Sequence, residues 1–180
     1  AATLAALALS ACAQADAPAS GDVSTSTGDC RGEAGREIAF DAASDLRLQA
    51  RVRAQSCAQA AVLVTMREPD GRLVFTDAFP LKALALTEPP SLETLGGLLS
   101  SFEENIVLRE AGEMQPYDAA TTVGANNPTP MSIVATKRAY ERARRIGGTL
   151  VCFPVHYETT SCVWRDPGHG GAYHLYYSGG

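Results

Sequence analysis

Between Leu46 and Ala54 every second residue is apolar: Leu46, Leu48, Ala50, Val52 and Ala54 alternate with Arg47, Gln49, Arg51 and Arg53. Successive side chains of an extended backbone point to opposite sides, so this period of two predicts a strand with one buried face and one in water. Strands need partners, and the flanking residues supply them. From Arg36, Ile38 and Phe40 start one strand before it, and Val62, Val64 and Met66 continue the pattern after it. Glu68, Pro69, Asp70 and Gly71 then form a strong turn signal, because Pro presets the first bend and Gly tolerates positive φ. Leu73 and Phe75 return as the hairpin partner. Phe79 to Leu86 reads as a further strand, ended by Glu88, Pro89 and Pro90. Arg47, Arg51 and Arg53 read most simply as a solvated sheet face; an anion-binding stripe for lipid headgroups or the cell wall is the sharper alternative.

The period then changes to that of helices. Ser91 offers an N-cap, Leu92, Leu95, Leu99, Phe102 and Ile106 follow at helical spacing, and Gly112 is a C-terminal stop. Gly96 and Gly97 inside this stretch each cost up to about 1 kcal/mol against alanine, which predicts close packing or a kink at that turn. Glu103 and Glu104 fall on its solvated face. Tyr117 to Pro130 is a Pro, Asn and Gly-bearing connection. A second helix is expected to start with Thr129 as cap and Pro130 in its first turn, and to end at Gly147. Ala135, Ala139, Ala143 and Ile146 share one side of it. Lys137, Arg138, Arg142, Arg144 and Arg145 spread over the other, where positive charge complements the helix dipole or docks an acidic partner or anionic polymer. Leu150 to Tyr157, Ser161 to Arg165 and Tyr173 to Tyr177 read as three more strands. Asp166 to Gly171 is a loop with unusual backbone freedom.

The first residues carry an address. Ala1 to Leu9 is an apolar run too short for a spanning helix, which needs about 20 residues. It ends in Leu9, Ser10, Ala11, Cys12, followed by a polar stretch with Pro18, Gly21, Gly28 and a Ser/Thr run. The pattern of Leu, two small residues and Cys resembles the lipobox of bacterial lipoproteins. The resemblance covers about the first 12 residues, and it implies that 1–11 is the truncated remainder of a signal peptide with its initiating Met and basic n-region upstream. It further implies that Cys12 becomes the first mature residue and carries two or three acyl chains, each buried methylene contributing roughly 0.8 kcal/mol to anchoring. Ala13 stands where an Asp favours inner-membrane retention, so the implied address is the outer membrane, on its periplasmic face. Residues 12–29 are expected to be a flexible tether, because a single Val cannot offset their ordering entropy.

The remaining residues, 30–180, form one α+β domain in this reading: an antiparallel, hairpin-built sheet carrying two amphipathic helices, stapled by disulfides. Cys30, Cys57, Cys152 and Cys162 are an even number of cysteines in an oxidising compartment and allow three pairings. Cys30 with Cys57 and Cys152 with Cys162 is the favoured one. Bridging Cys152 to Cys162 across paired strands requires a broad loop centred on Tyr157, which then presents His156, Tyr157 and Glu158. No two cysteines are spaced as a zinc site requires.

Function is less constrained. A net charge of −5 argues against a nucleic-acid binder. There is no G-x-S-x-G elbow, no H-E-x-x-H helix and no glycine-rich phosphate loop. Chemistry concentrates near the C-terminus: Phe153, Tyr157, Trp164, Tyr173, Tyr176 and Tyr177 are half of the 12 aromatics, and His156, His169 and His174 are all of the histidines. The expected function is therefore a non-enzymatic accessory or inhibitor of the envelope that needs no cofactor, anchored to the membrane by lipid. It would hold an envelope protein partner through His156, Tyr157, Trp164, His169, Tyr173 and Tyr176, since aromatics supply much contact area for little lost entropy. Two alternatives stand beside it. One is a small-ligand or metal-binding module in which the three histidines hold zinc or copper. The other is a Cys/His cell-wall hydrolase with Cys152 as nucleophile and His169 or His174 as base.

Overall fold

A computed structural model describes residues 24–25, 29–41, 44–121 and 131–179. Cys12, most of the 12–29 tether, and Thr129 with Pro130 lie outside the described residues. The first sheet runs through consecutive hairpins, β1 (Ser24–Thr25), β2 (Cys30–Asp41), β3 (Ser44–Ala54), β4 (Ala61–Arg67) and β5 (Leu73–Pro80), in that spatial order. Helix α1 (Leu92–Glu104) leads into β6 (Val107–Glu110), α2 (Tyr117–Thr121), β7 (Ser132–Ile133) and α3 (Lys137–Ile146). The chain ends its fold with β8 (Thr149–His156), β9 (Thr159–Arg165) and β10 (Ala172–Gly179). The second sheet has the order β6-β8-β9-β10-β7, and every pairing in both sheets is antiparallel. The domain is α+β and disulfide-stapled, as expected, but it is built on two sheets where one was anticipated.

The alternation in β3 does what its period requires. Leu46, Leu48, Ala50 and Val52 are buried while Arg47, Arg51 and Arg53 are exposed. The register sets Ala50 between Ala34 of β2 and Val64 of β4, so the apolar sets of three strands share one face. On the outer face Glu33 stands opposite Arg51, within 3.2 Å, and Glu37 opposite Arg47, so acids interleave with the arginines. Gly35 is required in β2: a Cβ there would lie 2.6 Å from the Leu48 carbonyl oxygen. The Glu68 to Gly71 turn forms as the sequence predicts, with Gly71 at φ +86° and its N–H donating to the Glu68 carbonyl at 2.8 Å.

Several boundaries differ, each for a physical reason. Ser24 and Thr25 pair with Glu33 and Gly32 respectively, so a short strand lies inside the expected tether; an edge ladder needs backbone hydrogen bonds, not apolar side chains. Phe79 and Pro80 belong to the end of β5, and Leu81–Leu84 is a 3-10 turn: Pro80 has no N–H to continue a ladder. Helix α1 starts at Ser91, whose side chain and that of Thr94 cap one another reciprocally, but it ends at Asn105 and not at Gly112. Asn105 Nδ2 donates back to the Ser101 carbonyl at 2.8 Å, closing the last turn. At Gly97 an added Cβ would meet open space, so close packing is not the reason for that glycine. Helix α3 is capped by Thr136, whose hydroxyl accepts from the Ala139 N–H at 3.2 Å, and the expected start at Thr129 is ruled out by β7, where Ser132 and Ile133 already pair with Tyr177 and Tyr176. Its end at Gly147, φ +76°, is as predicted.

The layers explain the burial pattern. The second sheet is apolar on both faces, hence the nearly continuous apolar run from Leu150 to Val155. Val151, Phe153 and Val163 face the first sheet and join its inner residues and Leu95, Leu99 and Phe102 of α1 in one core. Phe153 sits at the centre of that junction, its ring 6.1 Å from Phe75 of β5 and 6.1 Å from Phe102. On the opposite face Leu150, Cys152, Cys162, Trp164 and Tyr176 pack under Tyr140 and Ala143 of α3. Arg165 at the end of β9 forms an ion pair with Glu68 in the β4–β5 turn, tying the sheets at their rim. The disulfides are the expected pair, Cys30–Cys57 and Cys152–Cys162. Among the described residues no helix is long and apolar enough to cross a membrane.

Candidate functional site

The loop between β9 and β10 is organised by one buried carboxylate. Asp166, 2% exposed, follows the last residue of β9. Its backbone carbonyl accepts the His169 and Gly170 N–H groups at 3.2 and 2.9 Å, and its own N–H donates to the Gly171 carbonyl at 2.9 Å. Its side chain accepts the Gly168 N–H at 2.9 Å, an Asx-type turn of the kind an Asp-Pro-Gly sequence favours. Gly170 supplies the positive φ, +66°, that closes the loop. The freedom expected of residues 166–171 is thus removed by hydrogen bonds converging on one residue.

The same carboxylate reaches across to α3. Arg142 donates through Nε at 2.9 Å and through Nη2 at 3.3 Å, a two-point grip on both oxygens. His169 Nδ1 lies 3.0 Å from Oδ2, which makes Nδ1 the protonated ring nitrogen and leaves Nε2 as the ring's other polar atom. The Arg142 bonds above all, then those from Gly168 and His169, hold the Asp166 carboxyl down to about 2, against the opposing effect of burial. At neutral pH it is ionised and its oxygens are engaged; it positions other groups and is not a general base.

Above this bracket lies a cleft of about 300 Å³ between the first turns of α3 and the loop. Arg138 and Arg142, one helical turn apart, line one side; Trp164, His169 and Tyr173 line the other. The Trp164 indole N–H donates to the Gly147 carbonyl at 2.9 Å, which fixes the ring, and the rings of Trp164 and Tyr173 lie 6.2 Å apart. Tyr173 is 43% exposed and offers the open aromatic surface. Of the cations on α3, Lys137 is held by Asp118 at 2.7 Å, Arg144 by Glu141 at 2.9 Å and Arg142 by Asp166. Arg138 is exposed and has no acid within ion-pair distance among the described residues.

The structure therefore gathers three of the six expected contact residues, Trp164, His169 and Tyr173, and disperses the others. Trp164 itself is 2% exposed, so it forms the wall and floor of the cleft and not an open contact surface. Tyr176, 3% exposed, is likewise core: its ring lies 6.4 Å from that of Tyr140, and it borders a separate groove with Leu108, Arg109 and Glu110. His156 and Tyr157 sit at the tip of the β8–β9 hairpin with rings 4.3 Å apart. That tip is not the broad loop anticipated. Cys152 pairs with Cys162 and Pro154 with Thr160, then a one-residue bulge brings His156 opposite Thr159, so Tyr157 and Glu158 alone make the turn.

Among the described residues neither the three-histidine metal site nor the Cys/His nucleophile pair is assembled. His156, His169 and His174 do not meet, and among the described residues no group of three His, Cys, Asp or Glu side chains is placed to hold a metal ion. Cys152 is buried in a disulfide and has no thiol to act as nucleophile. Ser161 Oγ lies 3.0 Å from His174 Nε2, but Ser161 is 0% exposed between the sheets and offers nothing to a substrate. Arg138, Arg142 and Asp166 line this cleft and were not singled out as a group by the sequence; the signal was the turn-forming Asp-Pro-Gly after an aromatic strand. Compared with protein-family models, with curated proteins and with solved structures, the chain matches none.

Proposed function

We propose that this chain is a non-enzymatic binding module of the bacterial envelope, lipid-anchored through Cys12 on the periplasmic face of the outer membrane, that holds a protein partner in the cleft between α3 and the β9–β10 loop. The observation that carries the reading is the use made of Asp166. A buried acid whose oxygens accept from Arg142, Gly168 and His169 holds two side chains of the cleft wall in place before any ligand arrives. Preorganisation of that kind reduces the entropy lost on binding. The arrangement supplies a cation, a polar ring and an aromatic face, and the one aliphatic hydroxyl among the described lining residues, Thr136, is used as the cap of α3. That set recognises and does not transform. The two disulfides suit an oxidising compartment, and the Leu9 to Cys12 pattern supports the anchor.

Two measurements test the reading. Labelled palmitate incorporated in a Gram-negative host into the chain supplied with an initiating Met and a basic n-region, and lost in Cys12→Ser, supports the anchor; no label in either removes it. The oxidised full chain carrying Cys12→Ser, immobilised and exposed to detergent-solubilised envelope, should retain a partner that a Tyr173→Ala, His169→Ala surface releases. A partner retained equally by both surfaces places binding elsewhere on the domain and sinks the assignment to this cleft.

A further inference from the structure

The charge in the cleft restricts what can enter it. Arg142 is compensated by Asp166, the only acid lining the space among the described residues, and Arg138 is left as the uncompensated cation. A single unbalanced guanidinium complements a monoanion better than a doubly charged phosphate. Arg138 and Arg142 are four residues apart on α3, so their side chains are neighbours on one helix face. Arg142 uses Nε and one N–H of Nη2 on Asp166, and Nη2 also lies 3.4 Å from His169 Nδ1, so the two N–H groups of Nη1 are the donors not directed at this bracket. Arginine forks match the planar geometry of a carboxylate. Opposite them stands Tyr173, whose exposed ring has no polar function in the cleft wall beyond its hydroxyl. A volume of about 300 Å³ lies at the small end of ligand sites and suits one bulky residue, not a folded surface.

We infer that the cleft receives the C-terminal residue of a partner polypeptide, with its α-carboxylate on Arg138 and Arg142 and its apolar side chain against Tyr173. The inference rests on the reading of the domain as a protein-binding module. It adds the chemistry of the recognised group: a chain end, not an internal loop. Capture of a terminal carboxylate is a recurring mode of peptide recognition, and it accounts for an open guanidinium, Arg138, standing one helical turn from a fixed one, Arg142, beside an exposed aromatic face.

The chain carries its own reporter, since Trp164 is its single tryptophan and lines the cleft. The oxidised full chain is titrated with N-acetyl-L-phenylalanine, with the corresponding amide, with N-acetylglycine, with inorganic phosphate, and with a pentapeptide ending in phenylalanine. Saturable change in Trp164 fluorescence is expected with the free acid, at a Kd on the order of a millimolar for so small a ligand. Binding should weaken about tenfold for the amide and about tenfold in Arg138→Gln, because each removes a charge-assisted hydrogen bond. The pentapeptide should bind at least as tightly as the single residue.

Each departure has a meaning. Equal binding of acid and amide overturns the carboxylate assignment. Equal binding of phosphate, or of N-acetylglycine, reduces the site to a general anion site without the apolar half. Exclusion of the pentapeptide assigns the cleft to a free small acid and overturns the chain-end assignment. Absence of any signal, with partner capture still dependent on Tyr173, overturns this inference and leaves the binding module standing. Arg138→Gln removes an exposed side chain with no ion-pair partner among the described residues, so its melting curve should match that of the parent and separate lost binding from lost folding.

Discussion

Cys152 of β8 and Cys162 of β9 stand directly opposite one another, Cα atoms 4.1 Å apart, although a two-residue turn at Tyr157 and Glu158 would by itself set Cys152 against Val163. The one-residue bulge between Pro154 and His156 corrects the register. Pro154 stands at that point, where the missing N–H costs the ladder least. The disulfide and the bulge therefore specify the same pairing by independent means.

The two bridges should differ in their contribution to stability. In the loop-entropy model a closure spanning 10 residues contributes about 2.7 kcal/mol and one spanning 27 about 3.5 kcal/mol. Urea unfolding of a Cys152→Ala, Cys162→Ala double variant and of a Cys30→Ala, Cys57→Ala double variant should rank them in that order. Peptide mapping without reduction should recover these two linkages. Any Cys30 to Cys162 or Cys57 to Cys152 peptide would contradict the sheet register.

Trp164 and Tyr173 are cross-strand neighbours that share the cleft wall, yet one holds up the domain and the other does not. Trp164 is buried, hydrogen-bonded to Gly147 and packed beneath α3. Trp164→Ala should cost about 3–5 kcal/mol, as expected for removal of a large core aromatic. Tyr173→Ala, at a half-open position, should stay within about 1 kcal/mol of the parent in the same urea titration. A comparable loss in both variants would mean that Tyr173 is packed more tightly than its exposure indicates.

How much of this was legible in the residues varies with the kind of force that fixes each element. The strand at Leu46 to Ala54 declares itself, because one face is buried and the other is wet. Strand β6 does not: Val107, Leu108, Arg109 and Glu110 are all exposed, and the strand exists through its ladder with β8 and not through any pattern of its own. The second sheet was readable as strands but not as a middle layer, since a run apolar on both faces shows burial without showing what lies on each side. At the cleft, Trp164, His169 and Tyr173 are close in the chain and were seen. Arg142 and Asp166 are 24 residues apart and meet only because α3 docks on the outer face of β9, a tertiary event that local periodicity does not encode.

Acid should loosen the cleft in a defined range. Arg142, with help from Gly168 and His169, lowers the Asp166 carboxyl from its ordinary 3.8 to about 2. A depressed folded-state value means that the unfolded chain binds the proton more readily, so the contribution to stability is complete above the ordinary value and is lost as pH falls through it toward the folded value. The parent should lose stability more steeply than Asp166→Asn between about pH 4 and pH 2, as measured by urea midpoints at successive pH values. Parallel curves for the two proteins would show that Asp166 is not held in the ionised form by the fold.

His174 makes a second pH dependence, separate in range. It lies on the face of β10 turned toward the first sheet, its Nε2 3.0 Å from Ser161 Oγ and its ring 4.4 Å edge-on from that of Tyr177. Burial lowers its pKa below the ordinary 6.5, while the Asp77 carboxylate on β5 and a backbone hydrogen bond at Tyr176 act in the opposite direction. A histidine depressed on folding is kept neutral by the native state, so the unfolded chain takes up the extra proton as pH falls below the ordinary value. Stability from this residue is complete above 6.5 and declines below it, well before Asp166 begins to titrate. Between about pH 7.5 and pH 5.5 the parent should therefore lose more of its urea resistance than His174→Gln, which carries no proton-linked charge in that range. The direct check is the His174 ring resonance followed by NMR. A midpoint above 6.5 would mean that Asp77 outweighs burial, and the sign of the stability change would reverse.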